Sequence, residues 1–384
     1  MKKPARNLML AALAAFALAG CSKAPESAPS ETTATPAATP ATTAAAPAAT
    51  TAPAAPTAAP VGDAEKKLSI YCWSEYVPQD VIDAFTKETG IQVSVENYAS
   101  NEEMLAKLLA GGGSYDLIQP SEYVIEGLIK ENLLTPIDHA MIPNLKNVAP
   151  EFQNMSFDPG NKFTVPYMAG TVGIVVNTDL VKDDIKSYKD VFQDKFKKNI
   201  IVLDDAREIV SWALDSIQIP VNEVSDENLE KVKPVLAKWL PLVKAYDSDS
   251  PKTALLNGDV ALGVVWGGEG AILLNQDKKF KWVVPAEGAH LFVDSLAVPK
   301  SAKHVKNAEM FMNFILRPDI SVKISEAFPY LNPNQAAREL LTPEQRNNPA
   351  SFPTSEEISK METFKDIGGQ ATKIDELVTT MKLQ

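Results

Sequence analysis

From residue 68 onward the chain alternates between two hydrophobic periods, and this constrains the fold more than any other feature. "LSIYC" (68–72) has the apolar run of a buried strand. "PQDVIDAFTKETG" follows as a helix: Pro78 stands near its start, Val81, Ile82 and Phe85 share one face, and Gly90 stops it. "IQVSVENY" reads as the next strand. "SNEEMLAKLLAGGG" reads as a helix opened by a Ser100–Glu103 capping box, with Met104, Leu105 and Leu108 on its apolar face. "YDLIQPS" is a third strand and "EYVIEGLIKENLL" a third helix. This βαβαβ order predicts a sheet of parallel strands with helices on both faces. After residue 163 come two extended segments, "FTVPYMAG" and "VGIVVN", and then a second alternation. "NIIVLD" is a strand, "AREIVSWALDSI" a helix, and "NLEKVKPVLAKWLPLVKAY" one long helix. "VALGVVW", "FKWVVP" and "HLFVDSLAVP" are strands, and the chain beyond about 303 is mostly helical.

The segments before this pattern cannot build a core. Residues 1–21 combine a basic "MKKPARN", an apolar stretch too short for a stable membrane span, and "LAGC" with small residues ahead of Cys21. The pattern resembles a bacterial lipoprotein signal, with Cys21 as the lipidated residue; an ordinary secretory leader with a coincidental cysteine is the alternative. Residues 22–64 are almost entirely Ala, Thr, Pro and Ser, a composition that predicts a disordered tether. At roughly 3 Å per residue such a tether reaches on the order of 100 Å. The remaining ~320 residues exceed what one core usually supports, so two lobes are expected.

The chain carries a formal charge of −12 and becomes more acidic when Lys2, Lys3 and Arg6 leave with the leader. Nucleic acid is therefore not an expected partner. Of the two cysteines, Cys72 lies in an apolar run and reads as a buried thiol with no role.

No G-x-S-x-G, P-loop or G-x-G-x-x-G after a strand is present, and "AGGGSYD" reads as a helix stop and turn. His139, His290 and His304 are scattered, without metal-like spacing, and each reads as a surface or loop histidine. The chain is thus expected to be neither a hydrolase nor a metalloenzyme, and no cofactor is expected.

The informative pattern lies at the carboxyl ends of the strands, where open α/β sheets bind ligands. The first strand ends in Trp73, Glu75 and Tyr76. "YDLIQPSEY" ends in Ser121 and Tyr123, "NIIVLDDARE" in Asp205 and Glu208, and "VALGVVWGGEG" in Trp266 and Glu269. "HLFVDSLAVP" carries Phe292 and Asp294 on one face. Acids and aromatics together fit an alkylammonium. Carboxylates accept charge-assisted hydrogen bonds worth about 1.5–3 kcal/mol, and aromatic faces attract the cation by roughly 0.5–2 kcal/mol while covering its methylenes. Each residue has a plainer reading. Asp205 and Glu208 suit a helix cap, Glu269 suits a helix N-terminus, Trp266 suits a core, and Trp73 and Tyr76 suit packing between lobes. Asp294 is harder to explain as packing, because an unpaired buried carboxylate is costly. Trp212, Trp239 and Trp282 read as core.

The chain from about 68 to 380 resembles the spermidine/putrescine-binding proteins, the solute receptors of bacterial polyamine ABC importers. The resemblance rests on "WSEYVP", "FTKETGIQV", "YDLIQPSEY", "VPYMAGTVGIVVN", "LDDARE", "LGVVWGGEG", "FVDSLAVP" and "NFILRPD". It implies a two-lobed α/β periplasmic-binding-protein fold, type II-like, each lobe a sheet flanked by helices and the ligand in the interlobe cleft. The expected division is 65–172 with 294–338, against 173–293 with 339–384. By motif position, Trp73, Glu75, Tyr76, Ser121, Tyr123, Asp205, Glu208, Trp266, Phe292, Asp294 and Tyr330 fall on ligand-contacting positions, and Glu269 resembles the acid of putrescine-preferring members. Three departures bear on ligand choice. Phe292 stands where spermidine binders often have Trp, and Phe364 falls near where a spermidine binder offers Gln. Ala169 stands where many members have Trp, which implies a roomier cleft.

The resulting expectation is a monomeric, lipid-tethered periplasmic receptor that captures putrescine- or spermidine-class polyamines. Its partners are the polyamine, the permease subunits of an ABC importer, and a membrane through the lipid alone. A polyamine sensor or surface lipoprotein not coupled to transport, and a same-fold receptor for another organic cation, stay open.

Overall fold

The computed structural model describes residues 62–111 and 114–383; the leader, Cys21 and the Ala/Thr/Pro segment up to residue 61 lie outside them. Ordered contacts begin before Glu65, because Asp63 and Asn307 exchange two hydrogen bonds of 2.9 and 3.0 Å.

The first alternation forms as its periodicity predicts. β1 (Lys67–Trp73) leads through α1 (Gln79–Thr89) to β2 (Gln92–Tyr98), then through α2 (Asn101–Leu109) to β3 (Leu117–Ile118) and α3 (Glu122–Lys130). α1 buries Val81, Ile82 and Phe85 and ends on Gly90 at φ 73°, a left-handed turn that glycine adopts without steric cost. At α2 the Ser100 side chain accepts from the Glu103 N–H, while the Glu103 carboxylate reaches back to Ala99 N–H, one residue earlier than in the usual capping box. β1 pairs in parallel with both β2 and β3.

Two long strands depart from the all-parallel expectation. The segments read as separate, "FTVPYMAG" and "VGIVVN", are one fourteen-residue strand, β5 (Thr164–Asn177), which follows a short β4 (Leu134–Thr135). The region after β5 supplies α4 (Tyr188–Val191), β6 (Ile200–Val202), α5 (Ala206–Ser216), α6 (Asp226–Trp239), β7 (Ala245–Tyr246), α7 (Lys252–Leu256), β8 (Leu262–Trp266), α8 (Gly267–Gln276), β9 (Phe280–Val283) and β10 (Ala289–Pro299). The expected long helix stops at Trp239. Pro241 has no N–H to continue the ladder, so a short turn follows and Ala245–Tyr246 join the sheet.

β5 pairs antiparallel with β10 through residues 164–171, then antiparallel with β8 and β9 through residues 172–177. β6, β7 and β8 are again mutually parallel. The strand path is β2-β1-β3-β10-β5-β8-β6-β7, so two parallel sets are joined through an antiparallel pair. The β5–β10 register slips between Asp294 and Ser295, a bulge of the kind that re-aims side chains near sites.

The core divides along the same line. One part gathers Leu68, Ile70, Phe85, Leu117, Val165, Leu296, Phe311 and Phe314, with Tyr71, Tyr98 and Ile125 alongside. The other gathers Ile174, Tyr188, Ile200, Trp212, Val232, Trp239 and Leu262, with Val265 and Trp282 alongside. Cys72 and the three tryptophans read as core are all buried. Burial pushes the Cys72 thiol up to about 12.

The C-terminal region is largely helical. It comprises α9 (Val305–Ile315), α10 (Pro318–Ala327), the single turns α11 (Gln335–Arg338), α12 (Pro343–Arg346) and α13 (Ser355–Ile358), the short strand β11 (Met361–Glu362) and α14 (Gln370–Lys382). α9 and α10 contribute to the first core and α14 to the second, so the chain crosses between the lobes again after β10.

Candidate functional site

All twelve residues singled out in the sequence line one cavity between the two cores, with about 720 Å³ of empty space including its mouth. The topology explains the convergence. β1, β3, β6 and β8 each end at this cleft, and side chains at or just beyond each strand end line it. Trp73 closes β1 and Tyr76 follows it, Ser121 and Tyr123 lie at the start of α3, Asp205 and Glu208 at the start of α5, and Trp266 closes β8 just ahead of Glu269 in the first turn of α8.

The aromatic residues form a continuous belt. Ring centroids are 6.3 Å apart for Trp73 and Tyr76, 5.5 Å for Tyr76 and Tyr330, 6.0 Å for Tyr330 and Phe292, and 5.6 Å for Phe292 and Trp266. The polar edges of the indoles are tied to backbone: Trp73 Nε1 donates to Gln119 O at 3.1 Å and Trp266 Nε1 to Ser248 O at 3.0 Å. "WGGEG" needs its second glycine here, because a Cβ on Gly268 would stand 2.3 Å from the Tyr330 ring.

Asp294 is 2 % exposed. Its two oxygens accept from Tyr76 OH at 2.7 Å and Ser121 Oγ at 2.5 Å. Asn101 holds Ser121 in turn, donating to its Oγ at 2.9 Å. Burial raises the Asp294 carboxyl to about 7 against the lowering effect of those hydroxyls. Asp205 caps α5 by accepting from Glu208 N–H at 3.0 Å, so the capping and the cleft readings both hold for it. Burial first, then the charges of Glu102 and Glu208, raise it to about 8. Neither aspartate forms an ion pair among the described residues.

Glu208, Glu122, Glu269 and Glu75 are held by cations of the protein itself. Glu208 accepts from His290 Nδ1 at 2.6 Å and from Trp212 Nε1 at 3.2 Å. His290 Nε2 stands 2.9 Å from Glu122, whose carboxylate also takes Val293 N–H and Phe364 N–H. Burial works against protonation of His290, but the two glutamates outweigh it and push the imidazole up to about 10. Glu269 accepts from the Lys252 ammonium at 2.9 Å and from Lys252 N–H at 3.2 Å. The same ammonium reaches Glu75 at 2.9 Å.

Two sequence expectations change. His290 is not a surface or loop histidine; it is 4 % exposed and lines the cleft. Its parity revealed it, since His290, Phe292 and Asp294 alternate along one face of β10. Ala169 is not on the cavity wall: it is fully buried in the first core, with its N–H bonded to Leu331 O at 2.9 Å. Phe364 lines the cavity and is also a stacking base: the His290 ring lies parallel to it at 3.6 Å, and the Arg207 guanidinium lies over it at 4.6 Å. Two further contributors were missed. Glu122 follows Ser121 at a helix start, where an acid looks like ordinary dipole compensation. Lys252 lies in "SPKTA" with no local signal, since both of its acid partners are distant in sequence.

Residues 80–354 match the family of bacterial extracellular solute-binding proteins. The chain is 37 % identical over 317 residues to the spermidine/putrescine-binding periplasmic protein of Salmonella typhimurium, covering 82 % of this chain and 91 % of that protein. It is 36 % identical over 322 residues to the Escherichia coli protein of the same name, covering 83 % and 92 %. It also superposes on the solved spermidine/putrescine ABC transporter substrate-binding protein of Streptococcus pneumoniae with a TM-score of 0.71 and 36 % identity, covering 83 % of this chain and 99 % of that one. The chain belongs to the bacterial extracellular solute-binding proteins, in the group that holds the spermidine/putrescine-binding periplasmic proteins.

Proposed function

We propose that this protein captures a linear polyamine of the putrescine or spermidine class in its cleft and delivers it to the permease subunits of an ABC importer. The observation that carries the reading is the pair Asp205 and Asp294: two buried carboxylates on one aromatic-lined cavity, neither with a cationic partner among the described residues. An ionised carboxylate in such a place is unfavourable until a cation arrives. An alkylammonium supplies that charge, and its methylenes fit the belt from Trp73 to Trp266.

Asp294 is held by residues after β1 and β3, whereas Asp205 stands after β6, so one ligand satisfies acids from both lobes only when the lobes are together. Ligand binding therefore biases an open–closed equilibrium toward the closed form, which is the form a transporter would read. The receptor works as a monomer in the periplasm, held to a membrane by lipid on Cys21 and the Ala/Thr/Pro tether. The curated relatives being periplasmic proteins supports the compartment.

Isothermal titration calorimetry tests the reading. The purified protein is unfolded and refolded to remove carried-over ligand, then titrated with putrescine, cadaverine, spermidine, spermine, agmatine and arginine, with sulfate as the anionic control. Micromolar or tighter binding of one or two polyamines is expected. Heat from none of them overturns the proposal.

A further inference from the structure

Lys252 occupies a place built like an amine subsite. Its ammonium has three N–H donors and three acceptors within reach: Glu75 Oε2 at 2.9 Å, Glu269 Oε1 at 2.9 Å and Ser250 Oγ at 3.1 Å. Glu269 is 4 % exposed and the Lys252 side chain 15 %, so these two charges are largely out of water, while the Glu75 side chain is half-exposed at 49 %. Glu75 comes from the turn after β1, where it sits at φ 54°, a left-handed conformation uncommon for a residue with a side chain. Glu269 comes from the first turn of α8, on the other core. An acid from each lobe around one ammonium is the arrangement a bound ligand amine would make. Both acids also line the ligand cavity.

We propose that Lys252 sets the number of amines the cleft accepts, by filling one subsite with the protein's own ammonium; the inference rests on the polyamine reading above. With Lys252 in place, Asp205 and Asp294 are the buried wall acids left without a resident cation among the described residues. Two amines satisfy them. A third amine must either stay at the solvent-exposed rim, where Asp249 lies, or displace the lysine and forfeit its three hydrogen bonds. A diamine is therefore favoured over a triamine of the same spacing.

The test compares putrescine and spermidine affinities by calorimetry for the wild type, Lys252→Met and Lys252→Arg. The wild type should prefer putrescine. Lys252→Met leaves Glu75 and Glu269 without a cation, which the third amine of spermidine can supply. The spermidine-to-putrescine affinity ratio should rise about tenfold or more, in keeping with one charge-assisted hydrogen-bonding group. Lys252→Arg keeps a cation and should keep the wild-type ratio. If Lys252→Met does not fold, Lys252→Gln, neutral and of similar length, is expected to shift the ratio in the same direction. An unchanged or lowered ratio in the neutral variant, with the wild type still binding polyamine, overturns this inference alone. A wild type that binds no polyamine overturns the proposed function and this inference with it.

Discussion

His290 and Asp294 project from the same face of β10, four residues apart, and their surroundings carry charge in opposite ways. Around His290 the protein has closed its own circuit. An imidazole with both nitrogens engaged joins Glu208 to Glu122, and Phe364 covers its face. Around Asp294 the circuit is left open. Two hydroxyls orient the carboxylate, but no lysine, arginine or histidine pairs with it among the described residues. Buried charge is stable in the first place because it is paired, and poised in the second because it is not. The same cleft thus contains a piece of scaffold and a piece of receptor, built from the same residue types.

Removing the scaffold cation should damage the protein most. His290→Leu leaves Glu122 and Glu208 buried together with nothing between them, and a loss of about 3–5 kcal/mol in unfolding free energy is expected. Denaturant unfolding measures it. Adding Glu122→Gln and Glu208→Gln to His290→Leu should recover most of the loss, because the cost lies in the uncompensated charges rather than in the missing ring.

Asp294→Asn should do the reverse. Polyamine affinity is expected to fall by about 100-fold, as when one member of a buried charge pair is truncated. The ligand-free protein should gain stability above pH 7. The sign follows from linkage. The folded-state value of Asp294 is raised to about 7, so its contribution is fully present below the unfolded aspartate range and is lost as pH rises through about 7. Asp205, raised to about 8, acts in the same direction over a window that extends slightly higher. The two aspartates should therefore make ligand-free stability decline from about pH 4 to about pH 8, with His290 extending the decline toward about 10, and Asp294→Asn should remove part of the slope below pH 8. Polyamine affinity should rise over the upper half of the same window as both aspartates ionise. A wild-type stability profile rising with pH across this range would contradict the open-circuit description of Asp294.

How far the sequence exposes this arrangement depends on the range of the forces involved. The strand–helix alternation is local, so β1 to α3 and β6 to α5 are legible from periodicity and caps. The wall residues are legible because the carboxyl ends of strands must meet somewhere, and an acid or aromatic at each end is a pattern independent of register. The antiparallel crossing of β5 and β10 is not legible, since two extended runs carry no sign of their direction. The pairing of charges is hidden for the same reason. His290 lies 82 residues from Glu208 and 168 from Glu122, and Lys252 lies 177 from Glu75. Sequence reveals which groups need partners; only the packed structure decides which of them find partners within the chain.

The tryptophans near the cleft divide in the same way, between cavity wall and core. Trp212 also lies near the site, with its Nε1 on Glu208, but it is buried in the second core and stacks with Tyr188 at 5.8 Å. Trp266 is half-buried and faces the cavity, in edge contact with Phe292. A tryptophan that covers ligand methylenes should matter to binding and little to folding, and a core tryptophan the reverse. Trp266→Ala is expected to weaken polyamine binding by about 1 kcal/mol, or roughly fivefold to tenfold, in line with a cation–π contact of intermediate exposure. Trp212→Ala is expected to cost about 3–5 kcal/mol of stability. Calorimetry and denaturant unfolding on the two variants give the two ratios directly. If Trp266→Ala loses stability on the scale of Trp212→Ala while keeping its affinity, the belt is core that happens to border a cavity, and the acids alone hold the ligand.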